Sequence, residues 1–184
     1  MMLRSTLLPH QVIGVDWCLQ RERVGCILAD DMGLGKTVTA CGVIVGKPVR
    51  TIVIAPIALL DQWSAEIEKH TEGVHVSIYR GKSAVAECDV LVTNPEMIRK
   101  EYKRGSARMF DSFERMIIDE AHGLRNPRSR VFEAIHSMFG RRTDMAKILL
   151  TGTPICNKSR DLIAMVALLN IPQLSDLDYW RMIK

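Results

Sequence analysis

The segment Ala29-Asp30-Asp31-Met32-Gly33-Leu34-Gly35-Lys36-Thr37 brings two glycines, a lysine and a hydroxyl residue together in an order suited to phosphate. The apolar run Val24-Gly25-Cys26-Ile27-Leu28 precedes it, and a helix-compatible run from Val38 to Val45 follows. A glycine-rich turn between a buried strand and a helix aims successive backbone N–H groups into one concavity, at the positive end of the helix dipole. There Lys36 would place a point charge on the β- and γ-phosphates, and the Thr37 hydroxyl would hold Mg2+. The strict phosphate-loop pattern has glycine where this sequence has Asp30, so the loop alone does not establish nucleotide binding.

A second cluster, Ile117-Ile118-Asp119-Glu120-Ala121-His122, sets adjacent acids at the end of an apolar run. Asp119 at a strand tip would bind Mg2+ through water, while Glu120 would orient and deprotonate an attacking water. Phosphoryl transfer depends mainly on positioning and charge stabilisation, so these few groups supply much of what a nucleoside triphosphatase needs. Taken alone, an Asp-Glu pair is as readily a solvated strand end. The Gly-Lys-Thr loop upstream gives it chemical weight.

Such groups meet only if a fold positions them. Short β-branched runs alternate with amphipathic ones, the pattern of a parallel sheet covered by helices. Strands are predicted at Val24–Ala29, Thr51–Ala55, Val74–Tyr79, Asp89–Thr93, Met116–Asp119 and Lys147–Thr151. Several are continuously apolar, as strands buried on both faces are. Helices are predicted at Pro9–Arg21, Lys36–Val45, Ala58–His70, Pro95–Tyr102, Arg130–Met138 and Ser159–Leu169, with another starting in Ser175–Lys184. The longest expected loop is Lys103–Ser112. No internal repeat is present.

The 184 residues suffice for one domain with a sizeable core, and 47% hydrophobic with 25% charged residues is ordinary for a globular protein. A net charge of +4 is compatible with a phosphate-rich partner but equally with an ordinary surface. The five cysteines are scattered, with no zinc-knuckle or redox spacing, which points to a reducing compartment and no structural metal. Met1–Thr6 lacks an apolar signal region, and the uncharged stretches Thr51–Leu60 and Leu162–Gln173 are too short to span a bilayer. An intracellular, soluble protein without a membrane partner is expected.

A third element, Leu149-Leu150-Thr151-Gly152-Thr153-Pro154, completes a series. Asp-Asp-Met-Gly-Leu-Gly-Lys-Thr, then Asp-Glu-Ala-His, then Leu-Thr-Gly-Thr-Pro resembles the superfamily-two helicase-like ATPases, and more narrowly the Swi/Snf family of DNA-dependent ATPases. Leu8-Pro9-His10-Gln11 with Gly14-Val15-Asp16-Trp17 is similar to that family's adenine-sensing entry helix. Ala55-Pro56, with Leu59-Leu60-Asp61-Gln62-Trp63 and Glu66, resembles its second motif, and Asp89-Val90-Leu91-Val92-Thr93-Asn94 its next. His122-Gly123-Leu124-Arg125-Asn126 is similar to its extension of the acidic box. The tail from Asn157 through Tyr179-Trp180 resembles a subgroup that includes ring-finger-bearing DNA-repair remodellers.

The resemblance implies a RecA-like three-layer α/β lobe of the P-loop NTPase kind, its mostly parallel sheet covered by helices on both faces. It implies ATP and Mg2+ as cofactors. Gln11, Asp31, Met32, Gly33, Leu34, Gly35, Lys36, Thr37, Thr39 and His122 would then bind nucleotide, Gln11 reading the adenine edge. Lys36, Asp119 and Glu120 would carry catalysis, with Mg2+ on Thr37 and Asp119. His122 would link the nucleotide to the Thr151-Gly152-Thr153 turn. Residues around Ala55-Pro56, Thr93-Asn94 and Gly152-Thr153 would meet the backbone of duplex DNA, without sequence preference and with strong salt dependence. Trp17 and Trp63 are expected to pack their helices rather than stack on bases.

Four positions depart from the family pattern: Thr39 and Cys156 stand where glutamine is common, and Asn94-Pro95 replaces Thr-Tyr. The family closes its ATP site with a second lobe bearing an arginine. The 184 residues are therefore expected to be the first lobe only, residues 1–184 forming the ATP-binding domain, poorly active until a second lobe joins in cis or in trans. Chromatin or repair proteins would be further partners, in the nucleus of a eukaryote or the cytoplasm of another source. Two alternatives stay open: an RNA helicase lobe of the same superfamily, and a non-catalytic nucleotide- or DNA-binding module.

Overall fold

The computed structural model of the protein describes residues 1–81, 87–154, 161–169 and 171. Its centre is a six-stranded sheet built from β2 (Cys26–Leu28), β3 (Thr51–Ile54), β5 (Val76–Ile78), β6 (Val90–Thr93), β7 (Arg115–Ile118) and β8 (Ala146–Leu150). The strands run in the spatial order β2-β8-β7-β3-β6-β5, and every neighbouring pair is parallel. Two further strands were not foreseen: β1 (Met2–Leu3) pairs antiparallel with β4 (Thr71–Glu72), fastening the N-terminal segment to the main body.

Alternation along the strands divides the core. Ile52, Ile54, Leu91, Met116, Ile118 and Leu149 face one way. Val53, Val90, Val92, Ile117, Ile148 and Leu150 face the other. Helices α1 (Pro9–Arg21), α2 (Lys36–Gly46) and α3 (Leu60–His70) cover the second face. Helices α4 (Pro95–Arg104), α5 (Arg130–Ile135) and α6 (Asp161–Leu169) cover the first. The result is the expected three-layer α/β lobe, and both faces being covered explains why its strands read as continuous apolar runs.

The expected loop at Lys103–Ser112 is more ordered than that. Helix α4 runs on to Arg104, and a short 3-10 turn spans Ala107–Phe110. Phe110 is buried there, with its ring centroid 6.0 Å from those of both Tyr79 and Phe139. The helix expected at Arg130–Met138 ends at Ile135 and passes into a π-type turn over His136–Gly140. The expected helix in Ser175–Lys184, like Cys156 and most of the tail resemblance, lies outside the described residues.

At the edge where the strands begin, a buried charge cluster ties the layers together. Arg115 is fully buried and donates through Nε to Glu22 Oε1 (3.0 Å), through Nη1 to Thr51 Oγ1 (3.3 Å) and through Nη2 to the Lys47 carbonyl (2.9 Å). Lys47 Nζ completes the group at 2.5 Å from Glu22 Oε2. The chemical motifs gather at the opposite edge, where β2, β8, β7, β3 and β6 all end.

Candidate functional site

The phosphate-loop segment connects β2 to α2, and its glycines are demanded by geometry. Gly35 enters the helix in the left-handed region (φ 76°, ψ 39°), and a Cβ there would lie 2.5 Å from Gln11 Nε2. The loop from Asp31 to Leu34 is exposed, whereas Lys36 and Thr37 are half-buried. Lys36 Nζ folds back over the loop and donates to the carbonyls of Asp30 (2.8 Å) and Asp31 (3.0 Å). Its charge is thus held over the concavity at the start of α2.

Gln11 is buried behind this loop. Its Oε1 accepts from Leu8 N (3.0 Å), closing the first turn of α1, and its Nε2 donates to the Leu34 carbonyl (3.2 Å). His10 Nε2 lies 3.0 Å from the same carbonyl. The entry helix therefore braces the loop directly. Thr39, one of the expected nucleotide contacts, sits behind the loop. It is fully buried one turn into α2, with its hydroxyl toward the Gly35 carbonyl (3.5 Å) and its methyl against Gly14. It packs α2 on α1 behind the loop.

Across the cleft, β7 delivers Asp119 and Glu120. The Asp119 N–H donates to the Ile54 carbonyl (2.9 Å), extending the β7–β3 pairing to the strand tip. Its carboxylate is held at both ends: Oδ1 accepts from Glu120 N (2.9 Å) and Oδ2 from Trp63 Nε1 (2.8 Å). Glu120 is the only non-glycine with positive φ among the described residues (φ 47°, ψ 47°). Such a conformation costs on the order of 1–3 kcal/mol and persists only where surrounding structure enforces it. Its carboxylate reaches His122, with Oε2 3.1 Å from Nδ1.

His122 Nδ1 also lies 3.3 Å from Thr151 Oγ1, which in turn accepts from Thr153 N (3.1 Å). His122 thus stands between the Glu120 carboxylate and the Thr151-Gly152-Thr153 turn. β8, which carries that turn, lies between the strands that lead to Lys36 and to Asp119. Gly152 presses on the phosphate loop so closely that a Cβ would meet Met32 Cγ at 2.8 Å.

A cleft of about 400 Å³ opens between these elements, bordered by Lys36, Thr37, Asp119 and Glu120, and on the α3 side by Gln62, Trp63 and Glu66. Among the described residues, no three His, Cys, Asp or Glu side chains cluster as a self-sufficient metal site. One hydroxyl and one carboxylate facing a concavity of backbone N–H groups instead suit a cation that arrives with phosphate and keeps several waters.

The α3 contribution is what sequence reasoning missed. Trp63 does pack, being 2% exposed, but it also donates to the key carboxylate, and Gln62 and Glu66 share its face of the helix. The available signal was the i, i+4 spacing of Gln62 and Glu66 around it. Trp17, also expected to pack its helix, is 46% exposed, with the Arg21 guanidinium of the same helix 4.2 Å above its ring. Of the expected DNA-facing residues, Ala55, Thr93 and Asn94 are buried, with Thr93 Oγ1 donating to the Tyr79 carbonyl (3.0 Å) and Asn94 Oδ1 capping α4 through Met97 N (3.1 Å). Their side chains are committed to the fold.

A parallel three-layer sheet with a phosphate loop after one strand and an acidic pair after another defines the RecA-like class of P-loop nucleotide-binding folds. Comparison with known proteins narrows the class. The SNF2-related domain model matches residues 10–183, and the chain belongs to that family. It is 30% identical to the "Probable global transactivator" of Orgyia pseudotsugata multicapsid polyhedrosis virus, over 96% of this chain and 38% of that protein. It is 31% identical to the "ISWI chromatin-remodeling complex ATPase ISW1" of Saccharomyces cerevisiae, over 97% of this chain and 17% of that protein. The Sulfolobus solfataricus SWI2/SNF2 ATPase core in complex with dsDNA superposes with a TM-score of 0.83 at 26% identity, covering 98% of this chain and 39% of that one. The chain therefore spans less than two fifths of each of these relatives.

Proposed function

We propose that this chain is the ATP-binding lobe of a DNA-dependent ATPase that couples hydrolysis to movement along duplex DNA, in chromatin remodelling or DNA repair. The observation that carries this reading is the convergence of three loops at one sheet edge. His122 bridges the strained Asp119-Glu120 tip and the Thr151 turn, and Gly152 of that turn packs against Met32 of the phosphate loop.

In this reading, backbone N–H groups from Gly33 to Thr37 cradle the phosphates, and Lys36 exchanges its loop carbonyls for β- and γ-phosphate oxygens. Thr37 and, through water, Asp119 would hold Mg2+, which would supply charge neutralisation at the phosphates. Glu120, aimed by its left-handed backbone, orients the attacking water and takes its proton. His122 reports the state of Glu120 to Thr151, next to the segment expected to meet DNA. The remaining N–H of Gln11 is available to an adenine acceptor. A second RecA-like lobe, in cis or in trans, supplies the opposing arginine, so the lobe by itself turns over slowly. Resemblance to nuclear remodelling and repair ATPases supports a nuclear site of action in a eukaryote.

The test is ATP hydrolysis in a protein that includes the second lobe. Duplex DNA should stimulate turnover without strand displacement, and Lys36→Ala or Glu120→Gln should abolish it. Stimulation by RNA alone would instead assign an RNA helicase lobe. A folded chain that ignores ATP in calorimetry, with or without Mg2+, would assign a non-catalytic module.

A further inference from the structure

We propose that Trp63 is a positioning residue for the metal side of the site, its indole N–H holding the Asp119 carboxylate in the orientation that receives Mg2+-bound water. The proposal rests on the ATP-site reading above. A carboxylate at a strand tip ordinarily rotates about its terminal torsion, which is broad and roughly two-fold. Asp119 has no such freedom, because Glu120 N fixes Oδ1 at 2.9 Å and Trp63 Nε1 fixes Oδ2 at 2.8 Å. The second clamp is the stiffer. The Trp63 ring is 2% exposed and packed in the core beneath α3, so the donor is as immobile as the core itself.

Chemistry supports the same assignment. An indole nitrogen is a donor only, and one hydrogen bond to each carboxyl oxygen leaves lone pairs on both for outer-sphere waters. Trp63 also borders the cleft, placing the clamp beside the space the cation would occupy rather than behind it. Groups that orient a metal-side ligand act through it, and their loss typically lowers metal affinity or activity about 10- to 100-fold. Trp63 extends this logic to a helix that contributes no ligand of its own.

The experiment measures ATP affinity of this chain by calorimetry in excess Mg2+ and in EDTA, for wild type, Trp63→Phe and the packing control Ile67→Val, which trims a buried side chain of the same helix. Trp63→Phe should reduce the Mg2+-dependent gain in affinity about 10-fold and leave the EDTA value unchanged. Ile67→Val should alter neither. A gain within about two-fold of wild type in Trp63→Phe, or an equal loss in both buffers, overturns the proposal. Should Trp63→Phe fail to fold, the indole 1H–15N resonance of wild-type Trp63 decides. It should shift on adding Mg2+ to the ATP-bound chain, and an unmoved resonance overturns the proposal. Wild-type protein that binds no ATP in either buffer overturns the nucleotide-site reading, and this assignment with it.

Discussion

Replacing Lys147 by methionine should stabilise the protein at neutral pH and destabilise it in alkali. Lys147 sits on β8 with 2% exposure, and Nζ donates to the Gly140 carbonyl at 2.6 Å, closing the π-type turn. Burial first, and the Arg142 guanidinium second, lower its pKa from 10.5 to about 8, against the opposing pull of Asp144. The folded state therefore prefers the neutral amine. Between pH 8 and 10.5 the unfolded chain binds a proton that the folded chain does not, so stability rises with pH across that window. At pH 7, charging this lysine costs the fold about 3 kcal/mol, an upper figure that relaxation and water entry reduce. Methionine removes that cost but strands the Gly140 carbonyl, a loss of about 1–2 kcal/mol. The net expectation is a gain of roughly 1–2 kcal/mol at pH 7 and a loss of about 1 kcal/mol at pH 10 or above. Urea unfolding of wild type and Lys147→Met at both pH values measures the difference, with all other titrations cancelling in the comparison. A variant less stable by the same amount at both pH values would refute the reasoning.

Glu22→Ala leaves the fully buried Arg115 without its carboxylate and should cost about 3–5 kcal/mol in chemical unfolding, far more than any surface pair in the molecule. Gly35→Ala forces a Cβ into the left-handed region and against Gln11 Nε2; it should cost about 1–2 kcal/mol in stability and lower ATP affinity in titration calorimetry, because both the loop and its brace must shift.

The sheet was legible because β-branched runs such as Thr51–Ala55 and Asp89–Thr93 are buried on both faces, and burial on both faces leaves no polar alternation to confuse them. The β1–β4 pair was not legible. Two residues per strand carry no periodicity, and their partner is chosen by where α3 ends rather than by local preference. The Lys103–Ser112 segment read as a loop for its charge, yet Phe110 and Phe113 anchor it in an aromatic cluster that only the folded chain assembles. Thr39 follows the phosphate loop closely in sequence, yet its side chain is fully buried against Gly14 of α1, a contact that only helix packing decides.

The sequence by itself determined the chemistry: which residues could cradle phosphate, polarise water and hold a cation follows from side-chain type and order. Only the tertiary structure decided how those groups are held. The strand order that sets β8 between β2 and β7, the left-handed backbone of Glu120 and the Trp63 clamp on Asp119 each join residues far apart along the chain. Local propensity acts over a few residues, whereas these contacts are fixed by packing two helical layers onto one sheet. Residue types and their order suggest the chemistry; the packed core fixes how those residues are held.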